Sequence, residues 1–212
     1  YVAQGVRAEY FAPAHDPAMD VYAARIDRPI DVLFVGSFSR HHRRRSLLLE
    51  AGAGLRGEMA VAMHLDRSRL TRLAETPLGL IGPLRAHRRS RDIRAVALGP
   101  VFGCELLDAM SRARIVINGA IDMACPYRGN MRVWEAMGCG ATLVSDEGVY
   151  PDGMLAPDHF LSYSSVGQAI DLLRELHNND ALRQAIAVAG HAMIADRYSK
   201  KRQWQNFLEI VA

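Results

Sequence analysis

The chain has 212 residues, half of them apolar, enough for one large α/β domain or two small ones with a substantial core. No apolar run approaches the ~20 residues that span a bilayer, and the N-terminus lacks the pattern of a signal peptide, which together favour the cytoplasm. Cys104, Cys125 and Cys139 are odd in number, widely spaced and without a CxxC pair, so neither a disulfide framework nor a cysteine zinc site is indicated. The excess of 26 Lys and Arg over 23 Asp and Glu is too small to imply nucleic acid by itself.

The first residue is Tyr1 rather than Met, so the sequence reads as a piece of something longer. Up to Pro29 it shows no sustained period and contains Pro13, Pro17 and Pro29, which predicts an extended segment with one short helix near Met19 to Arg25. The run IDVLFVG from Ile30 to Gly36 is a short apolar strand closed by Gly-Ser, the pattern of a central parallel strand. Leu47, Leu48, Ala51 and Leu55 then recur at helical spacing, which predicts a helix from Arg44 to Leu55 with a stop at Gly57.

Met59 to His64 is expected to be a second strand, Ser68 to Ala74 a short helix and Ile93 to Leu98 a weaker strand. Cys104 to Ala113 reads as helix and Ile115 to Asn118 as a buried strand. A Gly-Asn turn at Gly129 and Asn130 leads into another helix, broken by Gly-Cys-Gly before an apolar strand from Ala141 to Val144. Phe160 to Tyr163 is an expected edge strand, followed by helices over Val166 to His177, Asp180 to Asp196 and Lys200 to Val211. Alternating strands and helices predict an α/β fold, a doubly wound parallel sheet with a C-terminal helical tail.

Open sheets of this kind bind ligands outside the carboxyl ends of their strands, and several polar groups fall there. Gly36 and Ser37 end the first strand, immediately before a dense basic run that contains Arg40, Arg43, Arg44 and Arg45 together with His41 and His42. Small residues let a ligand approach closely, and guanidinium forks match phosphate oxygens. Asn118 closes another buried strand. At the helix entrance the amides of Met131, Arg132 and Val133 are expected to face an anion, and Glu135, flanked by apolar neighbours, needs a partner that ligand hydroxyls would supply. The remaining histidines show no metal-ligand spacing, and no metal site is assigned. A GxGxxG string at Gly52, Gly54 and Gly57 closes a helix rather than opening one, so it does not read as a dinucleotide fingerprint. Motifs of Walker-type NTPases, serine hydrolases, HExxH metalloenzymes and DxD sugar transferases do not occur.

The segments VLFVGSFSRHHRRRSLLLEA, GPVFGCELLDAMSRARIVIN and GNMRVWEAMGCGATLVSD, with a tail ending RYSKKRQWQNFL, resemble the C-terminal half of a group 1, GT-B-fold glycosyltransferase. The helix beginning Asn-x-Arg-x-x-Glu is similar to the CgeB-like branch. The resemblance implies a Rossmann-like donor-binding domain over residues 30–212, preceded by an interdomain segment over residues 1–29. It implies a nucleotide-diphosphate sugar of UDP or GDP type as donor substrate, with no separate cofactor, and an unknown acceptor. It further implies that Glu135 meets ribose hydroxyls, while a basic residue after the first strand and amides near Met131 hold the diphosphate.

The donor-binding residues expected on these grounds are Gly36, Ser37, Arg43, Arg44, Asn118, Arg128, Gly129, Asn130, Met131, Arg132 and Glu135. One departure stands out: many group 1 enzymes carry a second glutamate eight positions before the one matching Glu135, and that position is Tyr127 here. Asp122 and Arg128 lie near it without matching. The acceptor site, and with it the usual catalytic base, belongs to an N-terminal domain that the resemblance does not cover, so no catalytic residue is assigned. The alternative reading is a non-catalytic nucleotide or nucleotide-sugar module of the same fold. Nucleic-acid binding through the arginine cluster is disfavoured, because only Phe38 is interleaved with it.

Overall fold

The computed structural model describes residue 5 and residues 9–38, 42–121 and 126–211. The strand stretches of the sequence form one parallel sheet: β1 (Ile30–Gly36), β2 (Val61–Leu65), β3 (Ala97–Leu98), β4 (Ala113–Ile117), β5 (Thr142–Asp146) and β6 (Leu161–Tyr163). Their spatial order is β3-β2-β1-β4-β5-β6, and every neighbouring pair is parallel. Val32 sits between Val61 and Ile115 in register, which fixes β1 and β4 as the central pair. The chain winds outward from β1 through β2 and β3, then returns to β4 and winds the other way.

Period-two alternation sorts the strand residues into two cores. Leu33, Val35, Val116 and Leu143 face one side, where they meet Leu106 and Met110 of α5 (Gly103–Ser111) and Val133, Trp134 and Met137 of α6 (Met131–Gly138). Val32, Phe34, Ile115, Ile117 and Val144 face the other, against Leu48 and Leu49 of α2 (Arg43–Gly54) and Leu173 of α7 (Val166–Asn178). Fully burying an aliphatic side chain of this kind contributes ~1.5–3 kcal/mol, so the continuous apolar strands hold both layers. The glycine string closes α2 as expected: the helix ends at Gly54 and a 3-10 turn spans Leu55–Gly57 ahead of β2.

The segment Ile93 to Leu98 corrects the sequence reading. Ile93 and Val96 lie in a helix, α4 (Arg91–Val96), buried against the second core, and only Ala97 and Leu98 pair with β2. A short apolar run has no period long enough to separate strand from helix, and here Ser90 decides it by accepting a hydrogen bond from the Ile93 amide at 3.2 Å. Elsewhere the boundaries move by a residue or two. Asn118 lies just beyond β4, and the helix α3 (Arg69–Ala74) is capped by Ser68.

The N-terminal segment packs onto the domain well before β1. Asp16 caps a 3-10 turn, Pro17–Met19, which runs directly into the single-turn helix α1 (Asp20–Ala23). The His15 amide donates to the Tyr198 carbonyl at 2.6 Å, at the junction of α8 (Asp180–Arg197) and α9 (Lys200–Val211). Arg28 then donates to the carbonyls of Ala113 at 2.9 Å, Ala23 at 3.1 Å and Cys139 at 3.0 Å, tying the segment to the start of β4 and the end of α6.

Candidate functional site

The winding direction reverses between β1 and β4, and at such a point the loops leaving the two strands diverge and open a crevice. A cleft of about 510 Å³ lies there, lined by Gly36 at the end of β1, Asn118 after β4, and Asn130, Met131, Arg132 and Glu135 at the start of α6. Six of the predicted residues therefore come together. Arg43, Arg44 and Arg128 line an adjoining cleft of about 710 Å³, and Gly129 lines a third, more apolar one of about 730 Å³. Ser37 stands beside the first cleft with its hydroxyl 3.5 Å from Arg45 Nη1.

Glycine suits the end of the first strand, where a Cβ at Gly36 would lie 3.0 Å from the tip of the Phe34 ring and would require the ring to give way by a few tenths of an ångström. Asn118 is buried and acts as a strut. Its Nδ2 donates to Ser145 Oγ at 3.0 Å, its Oδ1 accepts from Asn130 Nδ2 at 3.3 Å, and its carbonyl accepts from the Tyr163 hydroxyl at 2.7 Å. Burial pushes the Tyr163 hydroxyl far above its ordinary pKa, so it remains a donor. Asn118 thus joins β4, β5, β6 and the start of α6 at the floor of the crevice.

Asn130 is the N-cap of α6 with extended backbone, yet its side chain turns to Asn118 and makes no capping bond. The Val133 amide is taken by the Asn130 carbonyl at 3.1 Å, which corrects the expectation that three amides face an anion. Among the described residues the Met131 and Arg132 amides have no such acceptor. Two N–H groups therefore remain at the crevice. The N-cap residues of the other helices that begin on it make no side-chain capping bond either: His42 for α2 and Phe102 for α5, whereas Ser68, Ser90, Ser165 and Asn179 cap α3, α4, α7 and α8. The single-turn α1 also lacks a side-chain cap, but the 3-10 turn leading into it is capped by Asp16.

The first turn of α2 carries Arg43, Arg44 and Arg45 and no acidic residue. Cations at a helix N-terminus oppose the macrodipole by ~0.3–1 kcal/mol each, an arrangement that an anion between them would reverse. Arg45 was not among the predicted site residues, although it borders all three clefts. Its Nε donates to the Gly119 carbonyl at 2.8 Å. The signal was present in the sequence: buried Leu48 and Leu49 lie three and four positions on, so Arg45 shares their inward face, while Arg43 shares its face with exposed Leu47.

Two of the predicted cations are held by carboxylates. Arg128 pairs through Nε with Asp146 Oδ2 at 2.6 Å, and Asp146 also accepts from the Ala120 amide at 3.0 Å. Arg132 donates to Glu135 across one helical turn and, through Nε, to the Val35 carbonyl at 3.1 Å. Glu135 therefore reaches the crevice as a half-buried carboxylate fixed by its own helix. Tyr127, at the position of the second family glutamate, is exposed and borders the apolar cleft. Arg40, His41, Asp122 and Cys125 lie outside the described residues. On the far side of α6, burial, with the Glu135 carboxylate adding to it, pushes the Cys139 thiol up to about 12.

Similar proteins give this geometry a context. No curated protein matches the sequence. HepE from Anabaena, solved in complex with UDP, is similar with a TM-score of 0.66 at 14% identity, over 99% of this chain and 59% of that one. A TarM variant from S. aureus, in complex with fondaparinux, α-GlcNAc-glycerol and UDP, gives a TM-score of 0.64 at 12% identity over 99% of this chain and 41% of that one. The C-terminal domain of LpcC, a group 1 family glycosyl transferase from Francisella tularensis, gives 0.56 at 15% identity, with 90% and 96% covered. The chain thus spans less than two thirds of the two larger proteins and almost all of the isolated domain. Its fold is that of the C-terminal domain of GT-B glycosyltransferases. The sequence model of the Glycosyl transferase-like family matches residues 64–209, more than two thirds of the chain. The chain belongs to the glycosyl transferase-like family.

Proposed function

We propose that this chain is the donor-binding domain of a group 1 glycosyltransferase of the CgeB-like branch, which moves a sugar from a UDP- or GDP-type nucleotide sugar onto an acceptor. The observation that carries the reading is the convergence of three helix starts without side-chain caps on one crevice whose rim is rich in arginine. The diphosphate is the leaving group of the transfer. Its developing charge would be met by the Met131 and Arg132 amides and by Arg45, groups already oriented before the reaction. Glu135 would accept hydrogen bonds from the ribose hydroxyls, its position set by Arg132. In this reading Asn118, Gly129 and Asn130 shape the crevice, Gly36 and Ser37 let the phosphates approach, and Arg43, Arg44 and Arg128 supply surrounding positive charge. The missing DxD motif fits a transfer without a metal bridge to the diphosphate. The acceptor site and the catalytic base would come from an N-terminal domain joined through residues 1–29, in a protein acting in the cytoplasm.

Calorimetry with UDP, GDP and their sugar conjugates tests the reading; a folded sample that binds none of them would overturn it. Glu135→Ala is expected to weaken nucleotide-sugar binding about tenfold, the loss of one charge-assisted hydrogen bond, without unfolding the domain. Equal affinity in both proteins would remove Glu135 from the ribose.

One observation favours a second reading, a non-catalytic nucleotide-sugar module. Tyr127 places an exposed phenol where the family's sugar-side carboxylate stands. Release of labelled sugar by the full-length parent protein separates the two readings.

A further inference from the structure

Away from the crevice, at the opposite end of α6, two side chains of the N-terminal segment and one of α8 converge. His15 Nε2 lies 2.9 Å from Asp20 Oδ1, and His191 Nε2 lies 3.4 Å from the same oxygen. The two imidazole rings stand edge to face with centroids 5.4 Å apart. His15 is buried and packs beneath α6, where a Cβ at Gly138 would meet its Nδ1 at 3.5 Å. Asp20 and His191 lie at the surface end of the cluster, with side chains 55% and 25% exposed.

We propose that His15, Asp20 and His191 form a binding site for a divalent transition-metal ion, with zinc the fitting occupant. The three donor atoms lie within 4.8 Å of one another. Tetrahedral zinc with bonds of ~2.0–2.1 Å requires neighbouring donors about 3.3–3.4 Å apart, so small side-chain adjustments bring all three into its shell. Two imidazoles and one carboxylate suit zinc, cobalt and nickel rather than calcium or magnesium, which take oxygen ligands. Both rings aim Nε2 at one carboxylate oxygen, while their Nδ1 atoms are buried without a hydrogen-bond partner among the described residues. The polar capacity of the pair is therefore directed to one point. A metal ion at that point would replace the hydrogen bond between His15 Nε2 and Asp20 Oδ1, with each imidazole turning an Nε2 lone pair to the ion in place of a proton. The exposed side of Asp20 gives the ion its path of arrival and leaves a fourth position for water.

The consequence is structural. Asp20 and His15 belong to the N-terminal segment and His191 to α8, so the ion staples that segment to the body of the domain. The site shares no residue with the crevice and does not rest on the donor-binding reading.

The test is calorimetry of the tag-free, metal-stripped chain with zinc chloride, paired with thermal unfolding. One equivalent should bind, and free zinc about 100-fold above its Kd should raise Tm by about 5–10 °C. His191→Ala and Asp20→Asn, both at partly exposed positions, should keep the metal-free Tm within a few degrees and lose at least tenfold in zinc affinity. Cobalt added to the unmutated chain should give the visible absorption of a tetrahedral site, a readout independent of any variant. Absence of zinc binding, binding that survives both substitutions, or an octahedral cobalt spectrum would each overturn the proposal and leave an ordinary hydrogen-bonded His-Asp-His cluster.

Discussion

The starts of α4 and α6 follow opposite rules within one domain. At α4, the Ser90 side chain accepts from the Ile93 amide and the first turn contains Asp92, so the helix's own residues meet that amide and its dipole. At α6, Asn130 turns its side chain away, the first turn holds no acid, and two amides face the crevice. A cap is worth about 1 kcal/mol, so α6 leaves stabilisation unused that α4 takes. In the donor-binding reading, the difference separates a helix built for the fold alone from one whose end is left to a ligand.

The comparison can be strained most severely at the mouth of α2. Arg45→Ala removes the guanidinium that borders all three clefts and its bond to the Gly119 carbonyl, and nucleotide affinity should fall by about 10- to 100-fold. Calorimetry with UDP and GDP measures this, with circular dichroism confirming the fold. An unchanged Kd would detach the crevice from the anion. Met131→Glu should act with opposite signs on two observables. A carboxylate in the first turn of α6 should raise Tm of the unliganded chain by about 1–4 °C and lower nucleotide affinity roughly fivefold. A parallel change in both would show that the end of α6 is merely a poor helix start. The smallest effect on binding is expected at Ser90→Ala. Tm should drop by about 2–4 °C while nucleotide affinity stays unchanged, because that cap serves only α4. Loss of nucleotide binding there would erase the distinction between the two helix starts.

The sheet was legible because its central strands are continuous apolar runs of β length, and burial on both faces leaves that pattern in the sequence. Ile93 to Val96 escaped for the same reason, since a run buried by a helix carries an identical signature; Ser90 three positions before Ile93 was the available clue. At the site, the pairing of Arg132 with Glu135 was readable from i,i+3 spacing. The pairing of Arg128 with Asp146 was not, because it depends on where β5 ends relative to the loop after β4. His15 and His191 likewise meet only through the packing of the N-terminal segment against α8, and nothing in their spacing announces it.

Arg28 changes the electrical character of α6 as seen from the crevice. A helix of aligned peptides places about half a positive charge at its N-terminus and half a negative one at its C-terminus, and the two normally offset each other at a distance. Here the guanidinium of Arg28 sits on the Cys139 carbonyl at the negative end, in surroundings whose burial lowers its pKa. The negative pole thus meets a cation within the protein, while the first turn of α6 holds no acid to offset the positive one. Of the two ends of α6, the one at the crevice is therefore the less offset, which in the donor-binding reading favours the approach of an anion from further out in solution.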